Sequence, residues 1–206
     1  MLRIVSFVCL LCLMTLPLFA QEKEPLLEDK FQGELKEGWS WLRENPKGHR
    51  FADKTLEVLM EPFAGDESRN VLLRFAPDRR AGTYQIELYL ETPFTFEKQF
   101  QQVGLFWMQG EKVALKFVRE LIDGEMYVFP GKVPIKGNEI FMRLTVSGEN
   151  VKAEFKTDAK DEYKPAFEGK LPAYEEGEKI GIQCWHGLPD KEHWVKLRHF
   201  KIFKQD

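Results

Sequence analysis

Apolar and polar side chains alternate with a period of two along most of this chain. Ile86, Leu88 and Leu90 interleave with Gln85, Glu87, Tyr89 and Glu91, and Ile140, Met142, Leu144 and Val146 interleave with Phe141, Arg143 and Thr145. Successive strand residues point to opposite faces, so each run predicts a strand with one buried side, and a slip of one residue would invert it. The stretch 101–120 adds a hairpin. Val103, Leu105 and Trp107 alternate with Gln102, Gly104 and Phe106 before a turn at Gln109-Gly110; Val113, Leu115 and Phe117 follow, with Lys116 among them. Polar side chains planted in apolar strands make this hairpin half core, and half either solvated sheet or binding face.

The same patterning predicts strands at 26–31, 39–43, 55–61, 70–75, 83–91, 101–107, 113–121, 126–129, 139–147, 151–157, 179–185 and 194–203. Turn chemistry separates them: Asp123-Gly124, Lys136-Gly137-Asn138 and Ser147-Gly148-Glu149-Asn150 supply residues that tolerate positive φ. A single helical turn is expected within 97–102. Many short strands at this spacing, without a fixed-period repeat, predict an all-β sandwich of two antiparallel sheets over residues 26–206.

The first twenty residues break the pattern. Arg3 precedes an apolar run from Ile4 to Leu16, and Pro17-Leu18-Phe19-Ala20 forms a break and cleavage site, so residues 1–20 are expected to be an export signal with the mature chain starting at Gln21. Leu18 is bulkier than the residue favoured at its place, which leaves an uncleaved anchor as the alternative. Residues 21–25 read as a short charged linker. Cys9 and Cys12 fall in the leader, so Cys184 stands alone afterwards and forms no internal disulfide. A secreted or periplasmic monomer without stable membrane insertion is the expectation.

Charge narrows the partners. The formal net charge is −3. Removing the leader takes away Arg3 and no acidic residue, leaving −4. The charges are mixed along the chain without a basic block, which argues against nucleic acid. No H-E-x-x-H, G-x-S-x-G or phosphate-cradling glycine loop occurs. His186 and His193, with Asp190 and Glu192 between them, match no familiar ligand spacing. No metal, cofactor or catalytic residue is therefore assigned.

Aromatic residues beside planar polar groups carry the remaining signal. Trp39 and Trp41 precede Arg43-Glu44, Trp107 follows Gln101-Gln102, and Trp185 precedes His186. A pyranose offers a C–H face that stacks on an indole and a rim of hydroxyls that needs fixed donors and acceptors. The alternative for each tryptophan is a place in the core or over its rim.

Several segments together resemble a known family. Leu27-Glu28-Asp29-Lys30-Phe31, Gly38-Trp39-Ser40-Trp41-Leu42-Arg43-Glu44-Asn45-Pro46, Asn70-Val71-Leu72-Leu73-Arg74, Gln102-Val103-Gly104-Leu105 and 113–120 are similar to the C-terminal concanavalin A-like domain of beta-xylosidases and its stand-alone relatives. Lys179-Ile180-Gly181-Ile182 and 195–202 resemble that family's final strands. The resemblance implies a jelly-roll sandwich with one concave sheet, accessory to a glycosidase. The chain lacks room before Leu26 for a catalytic propeller and lacks an E-x-D-x-x-E strand, so hydrolysis is not carried over.

These readings make the chain an exported, non-catalytic carbohydrate-binding module for an oligosaccharide or polysaccharide. Its concave sheet is expected to present Trp41, Arg43, Arg74, Gln102, Trp107, Lys116, Glu120, Trp185 and His186, with Arg43 and Glu120 in one side-chain network. The alternatives are a glycoside hydrolase of a related sandwich class and a ligand-free structural or interaction protein of the envelope.

Overall fold

The structure, a computed structural model, describes residues 24–63 and 67–205. The expected leader lies outside them. Fifteen strands follow in order: β1 (Leu27–Asp29), β2 (Ser40–Leu42), β3 (His49–Ala52), β4 (Thr55–Leu59), β5 (Val71–Phe75), β6 (Thr83–Glu91), β7 (Gln102–Gln109), β8 (Lys112–Ile122), β9 (Glu125–Phe129), β10 (Val133–Pro134), β11 (Glu139–Ser147), β12 (Asn150–Lys156), β13 (Lys164–Lys170), β14 (Lys179–Trp185) and β15 (Trp194–Gln205). The first sheet runs β13-β12-β11-β6-β15-β4-β3, with β1 also on β15; the second runs β10-β9-β8-β7-β14-β5-β2. Every pairing is antiparallel.

The expected faces close on one another. Ile140, Met142, Leu144 and Val146 of β11 sit opposite Leu90, Leu88, Ile86 and Tyr84 of β6, and all eight are buried. Val103, Leu105, Trp107 and Phe117 of the second sheet meet them from the other side. A single register thus serves both sheets, because any one-residue slip would export four large side chains at once. The turns fall where φ > 0 is tolerated: Asp123 and Gly124 both adopt it between β8 and β9.

Three strands were not anticipated: β3, β10 and β13. All three are edge strands. β13 carries Pro165 between Lys164 and a tract ending in Lys170, and its pairing is offset by an irregularity at Ala153/Glu154; β10 ends in Pro134. Proline and lysine are at home where one side of the strand has no ladder partner. The helical turn expected within 97–102 is absent. The side chain of Gln101 organises this loop instead, its Oε1 accepting from the backbone N–H of Glu97 (2.5 Å) and of Lys98 (2.8 Å). A 3-10 turn lies at Pro46–Gly48, with the Asn45 side chain accepting from Lys47 N at 3.2 Å.

One buried ion pair ties the loops at one end of the sandwich. The Arg79 guanidinium donates to Glu178 through Nε (2.8 Å) and Nη2 (2.7 Å), and also to the carbonyls of Gly148 and Pro172. Glu178 further accepts from Trp107 Nε1 at 2.9 Å and Gln109 Nε2 at 2.7 Å. Both charged side chains are buried. Bidentate geometry with the remaining lone pairs satisfied is what makes such a pair tolerable away from water.

Candidate functional site

Strand parity gives the second sheet two unlike faces. One face enters the core. The other carries a separate apolar floor of Val71, Leu73, Phe106, Met108, Val118 and Trp185, with Leu42 beside it. Register sets polar residues around that floor: Trp185, Gln102, Glu120 and Tyr127 lie side by side across β14, β7, β8 and β9, and Gly181, Phe106 and Lys116 form a second row. Gly181 is required here, because a side chain on it would run into the ring of Phe106. Phe106 therefore lies across β14 and meets Trp185 edge-on, with centroids 6.0 Å apart.

Lys116 reaches over the floor, its ammonium 4.7 Å from the centroid of the Trp185 ring. Burial lowers its pKa, and Glu120 opposes that shift. Burial likewise raises the Glu120 carboxyl, against the pull of Lys116. Desolvation thus outweighs attraction for both partners, as expected when two charges share a partly dry face without closing into contact. Glu120 is held by Gln102, whose Nε2 donates to its Oε1 at 3.0 Å and to the Phe100 carbonyl at 3.2 Å. His186 follows β14 with φ 59° and lies 6.4 Å from Phe100, ring to ring. Burial lowers the His186 pKa first, and Lys98 and Lys116 lower it further.

Among the described residues two polar atoms on this face lack a hydrogen-bond partner, Gln102 Oε1 and Gln183 Nε2; Ser68 and the inward-facing Arg74 and Arg119 keep such atoms elsewhere. Both glutamines are only 5% exposed. An unpaired buried donor or acceptor costs about 1–3 kcal/mol, so a face that keeps two is suited to meeting something polar.

The outer face of the first sheet is the contrast. There Arg143 pairs with Glu87, Arg198 with Glu91, Lys152 with Glu154 and Lys201 with Glu28. Its aromatic pair, Tyr89 and Phe141, stacks face to face at 4.1 Å. Those rings use each other's faces and the charges cancel locally, which is an ordinary solvated surface.

Of the nine residues expected on one face, the structure gathers five: Gln102, Lys116, Glu120, Trp185 and His186. The other four are elsewhere. Trp107 is fully buried on the core side of β7 and donates to Glu178. Arg74 points inward as well, its guanidinium 4.9 Å from the Trp39 ring, where burial lowers its pKa and Asp29 counters. Trp41 pairs with core-facing Leu72, packs against the core and stacks on His49 at 4.4 Å. Arg43 turns away with φ 53°, donates to the Ser68 carbonyl at 2.5 Å and lines a separate recess of about 500 Å³ with Phe63 and Arg69. The expected Arg43–Glu120 network is not formed: β5, β14 and β7 stand between β2 and β8, a span of about 19 Å at the usual strand spacing.

Residues that pattern reading did not single out complete the face. Phe106 and Gln183 share the parity of Gln102 and Trp185, so alternation alone could have found them. Phe100, 48% exposed with φ 66°, and Lys98 sit in the loop before β7, where no periodicity operates.

No protein-family model and no curated protein matches the chain. Solved structures do. A GH43 protein, BlXynB, from Bacillus licheniformis is 13% identical, with a TM-score of 0.71 over 86% of this chain and 39% of that one. A xylan beta-1,4-xylosidase from Bacillus halodurans C-125 is 17% identical, TM-score 0.62, over 93% of this chain and 41% of its own. The alginate lyase AlgAT5 of polysaccharide lyase family 7 is 10% identical, TM-score 0.56, covering 82% and 95%. The chain spans about two-fifths of the GH43 enzymes it matches. It has the fold of a two-sheet jelly-roll sandwich of the kind carried by GH43 xylosidases, as the sequence resemblance implied.

Proposed function

We propose that this chain is an exported carbohydrate-binding module, monomeric and non-catalytic, that uses the outer face of its second sheet. One observation carries the reading: that face joins an apolar aromatic floor to buried polar atoms without partners, whereas the opposite outer face carries ion pairs such as Arg143–Glu87 and Arg198–Glu91. Sugar recognition needs that combination of flat apolar surface and fixed hydrogen-bonding groups. The likeness to sandwiches within carbohydrate-active enzymes supports the same class. The leader pattern at 1–20 supports export, and the acidic, mixed charge supports a partner other than nucleic acid.

A glycan array followed by titration calorimetry on the mature protein tests the reading. Binding is expected without release of reducing ends. Phe100→Ala, at an exposed ring beside His186, should weaken binding about threefold to tenfold, the worth of one stacking contact, and leave the melting temperature unchanged. A second reading has its own observation: Glu120 is a carboxyl with a raised pKa on the floor, as a proton donor requires. Turnover of a glycan that disappears in Glu120→Gln would place the protein with the hydrolases. Failure to bind any glycan would favour an envelope interaction protein.

A further inference from the structure

The charges on this face are not balanced. His186 lies 6.4 Å from Phe100 ring to ring, Lys98 stands two residues before Phe100, and Lys116 lies over Trp185, the residue before His186, so three nitrogen bases share this end of the face. Glu120 is the carboxylate that acts on Lys116. Among the described residues none of the three bases is within ion-pairing distance of a carboxylate, and Lys116 differs from the other unpaired lysines in that its ammonium is seated over the Trp185 ring. A lysine stem laid over an aromatic floor and only half exposed holds its ammonium at a fixed place, which suits a directed anion contact better than a free surface lysine does.

The unpartnered amide atoms give an independent pointer. Gln183 Nε2 offers a donor and Gln102 Oε1 an acceptor, both from buried side chains on neighbouring strands of the same face. Hydroxyl groups satisfy a donor and an acceptor together; a simple inorganic anion satisfies only the donor. The ligand that fits all of these groups therefore carries both hydroxyls and a carboxylate.

We propose that the face binds an acidic glycan, a chain containing uronate residues, whose carboxylate docks among Lys98, Lys116 and His186 while its hydroxyls meet Gln102 Oε1 and Gln183 Nε2. This rests on the carbohydrate-binding reading and adds the ligand's chemical class to it. The experiment compares three probes by calorimetry on the mature protein: an oligouronate, the same oligomer after carboxyl reduction, and a neutral xylo-oligosaccharide. The oligouronate should bind about tenfold more tightly than its reduced form, as one charge-assisted contact provides. That preference should shrink as salt is raised, and Lys116→Met, which keeps the apolar stem over Trp185, should bring the ratio toward one. Thermal melts confirm that the variant is folded. Equal or tighter binding of either neutral probe overturns the acidic assignment and leaves carbohydrate binding standing; binding of none of the three overturns both.

Discussion

Glu178→Ala is expected to lower the unfolding free energy by about 3–5 kcal/mol, the range for removing one partner of a buried ion pair. What remains behind sets the size. Arg79 stays buried without the carboxylate that takes its Nε and Nη2 protons, and Trp107 and Gln109 lose an acceptor in the same step. Replacing both charges, as Arg79→Met with Glu178→Leu, should cost less than the single change, because no unpaired charge is left in the interior. Urea unfolding of the two variants checks this; a double variant that loses more than Glu178→Ala alone would show that the hydrogen bonds to loop carbonyls, not the charge pairing, hold this end together. A pH dependence follows as well. Burial alone would raise the Glu178 carboxyl, but donation from Arg79, Gln109, the Glu175 backbone and Trp107 holds it below its ordinary 4.5. A lowered folded-state pKa gives stability that is present above the unfolded value and is lost as pH falls through the folded one. The wild type should therefore lose stability on acidification below about 4.5, and Glu178→Ala should flatten that slope.

Trp107→Ala should be comparably severe, about 3–5 kcal/mol, since it empties a fully buried indole site between the sheets. Trp107→Phe keeps most of the packing and removes the N–H to Glu178, so about 1–3 kcal/mol is expected. Because the ring faces the core, glycan affinity at a temperature where Trp107→Phe is folded should equal that of wild type. Weakened binding with an unchanged melting temperature would instead place the indole at the ligand.

The sandwich was legible wherever both a strand's neighbours and its buried face were regular. β6 and β11 alternate without interruption, so their buried faces could be written down from residues 83–91 and 139–147 alone, and the structure sets those faces opposite one another. β13 could not: Lys164-Pro165 and Gly169 suppress alternation, and an edge strand has little buried surface to demand it. The site was half legible for a similar reason. Gln102 and Phe106 share one parity of β7 and Trp107 has the other, so naming Gln102 and Trp107 together set composition above alternation. Lys116 and Glu120, four apart on β8, kept the same parity and came out on one face. Arg74 and Trp41 were placed by the attraction of arginine and tryptophan for ligands, yet their strands turn those positions toward Ile180 and Leu72, and the guanidinium finds its partner in the ring of Trp39. Phe100 and Lys98 were hidden because a loop carries no period; only the side chain of Gln101, gripping two backbone amides, fixes where they go.

The short, proline-bearing margins of both sheets bear on how such a protein tolerates crowding. On the proposed glycan-binding reading, copies of the chain would be brought repeatedly against one another, side by side and at high local density. β10 stops at Pro134, β13 is interrupted by Pro165 and flanked by lysines, and β2 and β3 run three and four residues. None of these margins offers a long run of free amides and carbonyls for a second chain to zip onto. Molecules lined up along a glycan would then meet through their charged surfaces and separate again, so dense loading stays reversible and the array does not set into fibres.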